Sequence, residues 1–138
     1  MSVEDNKALV RRCWEECFNQ GNLAVVDALV APTYIWHGPG QEVSGREGIK
    51  QLISLYRAAF PDIYMTFEDQ IAEGDKVASR WTMRGTHTGD LLGIGPTGKQ
   101  GTMTGIVISR LASNTIAEEW ENFDQLGLLQ QLGVMPRP

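Results

Sequence analysis

Two glutamates, Glu119 and Glu121, stand two residues apart in a stretch, Thr115 to Phe123, that reads as a β-strand. Residues i and i+2 of a strand share a face and lie about 7 Å apart, so both carboxylates point the same way. Facing inward with Ala117 and Phe123, they would enter an apolar space. Burial there raises a carboxyl pKa toward neutrality, which suits a general acid or base. The opposite face carries Ile116, Glu118, Trp120 and Asn122. Neither face is plainly apolar, so periodicity alone leaves an ordinary solvated acidic strand open.

The other candidates are fewer. On the strand pattern Lys76–Thr88, one face carries Val77, Ser79, Trp81, Met83, Gly85 and His87, and its bulk marks it as inward. His87 therefore ends an apolar row, where a histidine is either a hydrogen-bonded structural residue or a proton donor. His37 precedes Gly-Pro-Gly at a strand end, a place where a chain commonly bends over a cavity mouth, though turn chemistry alone also explains it. Trp14, Trp36, Trp81 and Trp120 supply aromatic surface for a core, and one or two could stack on a flat ligand.

Several chemistries are excluded by what is missing. There is no Gly-x-Ser-x-Gly elbow, and the run from Gly95 to Lys99 lacks phosphate-loop spacing. Gly93-Ile-Gly95 opens no helix pattern, so it is not a dinucleotide fingerprint. Two histidines far apart, with no zinc-spaced Cys-His cluster, predict no metal and no cofactor. Cys13 and Cys17, four apart on a helix pattern, read as buried thiols. A net charge of −5 argues against nucleic acid.

These groups must be positioned by one ordinary domain, since 138 residues with 42% hydrophobic and 21% charged side chains support a single core over 1–138. No apolar run approaches the ~20 residues of a membrane span. Ser2, Glu4 and Asp5 do not open a secretion signal, so a cytoplasmic location is expected.

Leu9, Val10, Cys13, Trp14, Cys17 and Phe18 recur at helical spacing, capped by Ser2 with Asp5 and ended by Gly21. Asn22 is a candidate cap for a second helix, Leu23 to Val30. A short strand, Tyr34 to His37, runs into the turn His-Gly-Pro-Gly. Ser44-Gly-Arg-Glu47 reads as a capping box before the stripe Ile49, Leu52, Ile53, Tyr56 and Phe60, which Pro61 stops. Two hairpins follow, Ile63–Glu73 with Lys76–Thr88, and Thr102–Ala112 with Thr115–Phe123. Between them, Gly89 to Gly101 is glycine-rich and irregular, and a final helix covers Leu126 to Leu132. The pattern predicts α+β, with three N-terminal helices and a short C-terminal one on a curved antiparallel sheet. Twisting long strands around a helix would enclose a cone-shaped, barrel-like pocket.

Four stretches together carry a family resemblance. They are Pro32-Thr-Tyr-Ile-Trp-His37-Gly-Pro-Gly40 leading to Gly45-Arg-Glu-Gly48, then Ala59-Phe60-Pro61-Asp62, then Gly85-Thr-His87-Thr-Gly89 through Gly98, and Ile116 to Asp124 with Gln131-Leu-Gly133. In that order they resemble the SnoaL-like polyketide cyclases (the ester cyclase group), of nuclear transport factor 2-like and ketosteroid isomerase-like fold. The resemblance implies an intramolecular aldol closure without metal or cofactor. An Asp on the last strand is the family's acid/base, and Glu121 falls at its position. His87 matches a family histidine, Glu119 falls where many members carry His, and Val107 falls near another family histidine that is absent here.

The resemblance turns the Glu119/Glu121 face inward. It implies an enzyme that moves a proton on an apolar, carbonyl-containing small molecule, with Glu121 and His87 catalytic. Trp81, Met83, Met103 and Phe123 would form the walls, and His37 and Glu119 would orient the ligand. A non-catalytic binding protein with the same pocket is the alternative, and an epoxide hydrolase a more distant one. Homodimerisation is implied through the outer sheet face, with Thr82, Thr86, Thr104, Ile106 and Ile108.

Overall fold

The capping box at the N-terminus forms as its residue types require. In the computed structural model, which describes residues 2–135, the Ser2 hydroxyl accepts from the Asp5 N–H at 3.0 Å, and the Asp5 carboxylate accepts from the Ser2 N–H at 3.1 Å. Helix α1 (Val3–Gln20) follows and ends at Gly21, whose φ of 69° is the left-handed cap. Its stripe of Val10, Cys13, Trp14 and Cys17 is buried, and α1 lies across β3. Both cysteines are free and buried, as their spacing predicts.

Helix α2 (Ala24–Leu29) is shorter than its sequence pattern, because Val30 is already extended and begins β1. Asn22 does not cap it; its side-chain amide donates to Glu16 instead. Strand β1 (Val30–Gly38) is longer than the expected Tyr34–His37, and it turns back through Pro39-Gly40 into β2 (Gln41–Ser44), a strand the sequence did not suggest. Helix α3 (Gly45–Ala59) buries Ile49, Ile53, Tyr56 and Ala59. Its expected capping box does not close, since the Ser44 side chain makes no cap bond and Glu47 pairs with Lys50 at 3.3 Å. Then come β3 (Tyr64–Glu73), β4 (Lys76–Thr86), β5 (Gln100–Ala112), β6 (Thr115–Phe123) and α4 (Gln125–Gln131).

The fold is α+β, four helices on one six-stranded sheet of order β2-β1-β6-β5-β4-β3. Two expectations about the sheet need correction. It is mixed, because β1 pairs with β6 in parallel while every other pairing is antiparallel. It is also an open sheet with β2 and β3 at its edges, not a closed barrel. The parallel pair brings the distant segment Val30–Gly38 beside β6, and local periodicity cannot see such a crossover.

A bulge explains the ambiguous pattern of β6. Arg110 faces Glu118 but Leu111 faces Ile116, so Ala117 is an extra residue in the ladder. Ile116 is thereby fully buried although it shares formal parity with exposed Trp120. Beyond the bulge the inward positions are Glu119, Glu121 and Phe123, which line the interior.

The glycine-rich segment is a folded-back loop. His87 N–H donates to the Lys99 carbonyl, and Gly98 N–H donates back to the His87 carbonyl. Gly89 lies so close under α3 that a Cβ would sit 2.0 Å from the Ala58 carbonyl oxygen, and its N–H bonds the Ala59 carbonyl at 3.1 Å. Among the described residues, no helix is long and apolar enough to cross a membrane.

Candidate active site

The concave face of the sheet and the helices above it enclose a cavity of about 60 Å³. One buried water needs roughly 10–15 Å³ on the same scale, so a small organic group has room here. Helix α1 contributes Trp14 and Phe18; α3 contributes Ile49, Leu52, Ile53 and Tyr56; the strands contribute Trp36, Met65, Phe67, Trp81, Met83, Met103, Val107 and Phe123. Against this apolar wall stand two carboxyls, Glu119 and Glu121. No arginine, lysine or histidine of the described residues lines the cavity.

The two carboxyls are held differently. Glu119 is 2% exposed and saturated with donors. Trp14 Nε1 donates to its Oε2 at 3.0 Å, Ser109 Oγ donates to the same oxygen at 2.5 Å, and the Tyr34 hydroxyl donates to Oε1 at 2.7 Å. Burial raises its pKa, and these three bonds pull the other way by favouring the charged form. Tyr34, fully buried beside it, has its own pKa raised by burial and by the Glu119 charge.

Glu121 has one strong bond, from Trp36 Nε1 at 2.8 Å. It is half-buried and lines the cavity. Burial first, and the Glu119 charge second, push its pKa up to about 8. Its acid form therefore predominates at neutral pH, and its base form is within reach a little above it. Trp81 Nε1 lies near enough to favour the Glu121 charge but closes no hydrogen bond. Tyr56, on the facing helix, has its pKa raised by burial and by Glu121.

The expected wall residues Trp81, Met83, Met103 and Phe123 all line the cavity, as do Glu119 and Glu121. The two histidines do not. His87 is fully buried behind Phe60, with ring centroids 5.5 Å apart. Its Nδ1 accepts from the Thr97 N–H at 3.2 Å and lies 3.0 Å from the Thr97 hydroxyl, so it ties the glycine-rich loop to β4. Strand β4 ends at Thr86, and past that point the inward row leaves the cavity for this loop.

His37 sits on the opposite face of the sheet from Trp36. It bridges Glu42 at 3.0 Å and Glu118 at 2.7 Å and stacks on Trp120 at 5.6 Å. The Glu118 hydrogen bond is the main reason its pKa is raised. Sequence reasoning missed Tyr34, Ser109, Trp14 and Trp36 as partners of the carboxyls, and Tyr56 as a wall group. The parity of Trp36 in β1 was a usable signal, but the pairing of β1 with β6 was needed to aim it.

A family model, SnoaL-like polyketide cyclase, matches residues 8–132. The chain belongs to the SnoaL-like polyketide cyclase family. Among solved structures it is similar to IdmH of Streptomyces antibioticus, whose description as a polyketide cyclase is provisional, at 33% identity and TM-score 0.80, covering 97% of this chain and 100% of that one. It is similar to AclR of Streptomyces galilaeus, provisionally described as a hydroxylase, at 27% identity and TM-score 0.87, covering 99% and 89%. It also shares the fold of a protein of Catenulispora acidiphila described by its ketosteroid isomerase-like fold and crystallised with trimethylamine, at 16% identity and TM-score 0.77, covering 94% and 97%. A search of curated proteins gave no match.

Proposed function

We propose that this SnoaL-like protein is a small-molecule-processing enzyme that moves a proton on an apolar, carbonyl-containing substrate without metal or cofactor. Membership of a cyclase family and the cyclase and hydroxylase descriptions of its neighbours support the enzyme class. The observation that carries the finer reading is Glu121, a carboxyl on an apolar cavity wall with one donor and no cation to neutralise it. As carboxylate it removes the proton alpha to a carbonyl; as acid it returns a proton to the product, giving aldol closure or isomerisation. Glu119, held by three donors, stands beside it, and its charge adds to the effect of burial in raising the Glu121 pKa. His87 and His37, away from the cavity, serve the loop and the outer face.

The outer face of the sheet exposes Ile106, Ile108 and Trp120, at 53%, 41% and 39%. This supports a homodimer through that face, which light scattering at micromolar concentration tests and Ile106→Asp should dissolve into monomers.

The test of the chemistry is deuterium exchange at the carbons alpha to the carbonyl of 2-indanone in D2O, followed by mass spectrometry. The parent should accelerate exchange over buffer and Glu121→Gln should not. Equal acceleration by both would overturn the reading. Binding without exchange by the parent would favour a carrier of the same fold.

A further inference from the structure

Three indole N–H groups stand around the cavity. Those of Trp14 and Trp36 are bonded to Glu119 and Glu121. That of Trp81 lies near enough to Glu121 to favour its charge but closes no hydrogen bond among the described residues, although Trp81 is only 2% exposed and lines the cavity. A buried donor left unmade costs about 1–3 kcal/mol. Phenylalanine would give a smaller apolar wall without that cost, so the unmade donor itself calls for a role.

The ring is held where it is by its neighbours. Across the ladder Trp81 faces Gly105, which faces Phe123. A Cβ on Gly105 would lie 2.4 Å from Trp81 Cζ2 and 2.7 Å from Cε2, the atom bonded to Nε1. The missing side chain is what lets the indole lie over β5, on the side of the sheet where Glu121 stands one row further along β6. Phe123 closes the far side at 6.4 Å between ring centroids. Any larger residue at position 105 would move the N–H.

We infer that the Trp81 N–H is a donor kept for the ligand, and that it takes an uncharged oxygen acceptor, a ketone or ester carbonyl, seated beside the Glu121 carboxyl. Charge decides the class. No cation lines the cavity, so an anionic ligand would lose its water with nothing to offset the loss. An ammonium ligand would suit the carboxyls and the aromatic rings but would leave the Trp81 donor unmade. A neutral carbonyl satisfies the donor and places its alpha carbons near Glu121. As negative charge grows on that oxygen, the same N–H stabilises it more than it stabilised the ketone. The inference rests on the proposed proton transfer for the role of Glu121, but its test reads binding alone.

The probe pair is cyclopentanone and methylenecyclopentane, equal in shape but differing in the acceptor. Calorimetric or competition binding should show Trp81→Phe weakening cyclopentanone by about tenfold while methylenecyclopentane stays within about twofold. In a 15N-resolved spectrum of the parent, which has four tryptophans, cyclopentanone should move the Trp81 indole N–H resonance downfield more than those of Trp14 and Trp36. That measurement needs no variant, so it stands even if Trp81→Phe fails to fold. Equal weakening of both probes, no ketone binding by the parent, an unmoved Trp81 resonance, or tighter binding of cyclopentylammonium than of cyclopentanone would each overturn the inference. A Glu121→Gln protein that still exchanges 2-indanone protons would sink the proposed reaction while leaving the Trp81 binding result intact, so the two failures are distinguishable.

Discussion

Strand β6 places glutamates of one chemical type on opposite faces of one sheet, and the two faces treat them oppositely. On the outer face Glu118 accepts from His37 at 2.7 Å and sits 3.3 Å from Arg110, and its pKa is lowered, chiefly by the His37 bond. On the inner face Glu119 and Glu121 are raised by burial, and Glu121 has no cation to answer it. Screened, paired carboxylates contribute little and do little. A carboxyl held in an apolar cavity keeps its proton to higher pH and can exchange it at a useful one. The side chain is the same; the solvent each face provides makes the difference.

The largest expected effect breaks the comparison at the chemistry. Glu121→Gln should lower the catalysed exchange of 2-indanone by 10²–10⁴-fold, the range general acid–base groups supply. Glu118→Gln should leave it within about twofold. Similar losses in both variants would mean that the faces do not differ as described.

The next effect is structural. Ser109→Ala removes one of three donors from Glu119 and leaves a buried carboxyl less well held. A loss of about 1.5–3 kcal/mol in urea unfolding is expected, the range for bonds to charged groups. On the outer face Arg110→Ala should shift the melting temperature by no more than about 2 °C.

The pH dependence sharpens the contrast. Base-catalysed exchange should rise with pH and level off above about 8, where Glu121 has lost its proton. The stability effect has the opposite direction. A carboxyl raised in the folded state stabilises fully below its unfolded pKa near 4.5, and that stabilisation is lost as pH rises toward 8. The parent's melting temperature should therefore fall across pH 4.5–8, and Glu121→Gln should flatten the fall. A parallel fall in the variant would show that the carboxyl is solvated.

The smallest effect concerns His37, whose raised pKa makes its contribution present below about 6.5 and lost as pH rises through the folded value. Because the ring is only half-buried and its partners are solvated, His37→Gln should change the melting curve between pH 6 and 8 only slightly. A large change would place more of the protein's stability on the outer face than its solvation allows.

Much of this arrangement is legible in the linear chain, and particular elements show where legibility stops. The capping box Ser2/Asp5, the Gly21 stop and the extent of β6 follow from local chemistry and appear as expected. The family match follows from motifs spread along the chain. The inward row of β4 is readable as far as Met83, but His87 lies beyond the strand end, where parity no longer applies. The Ser44 box fails because a side chain that fits a motif can be drawn to other partners. The β6 pattern is unreadable locally because the Ala117 bulge switches its phase.

Composition, helix caps and alternation by themselves determine that this chain folds as helices on a sheet and that β6 carries two carboxyls on one side. Only the tertiary structure decides that this side is the inner one. It brings Trp14, Tyr34 and Ser109 to one glutamate and Trp36 to the other, from positions as many as 105 residues away. The reason is physical: backbone geometry and periodicity act over a few residues, whereas a carboxyl's pKa depends on how much water and charge the whole fold leaves around it.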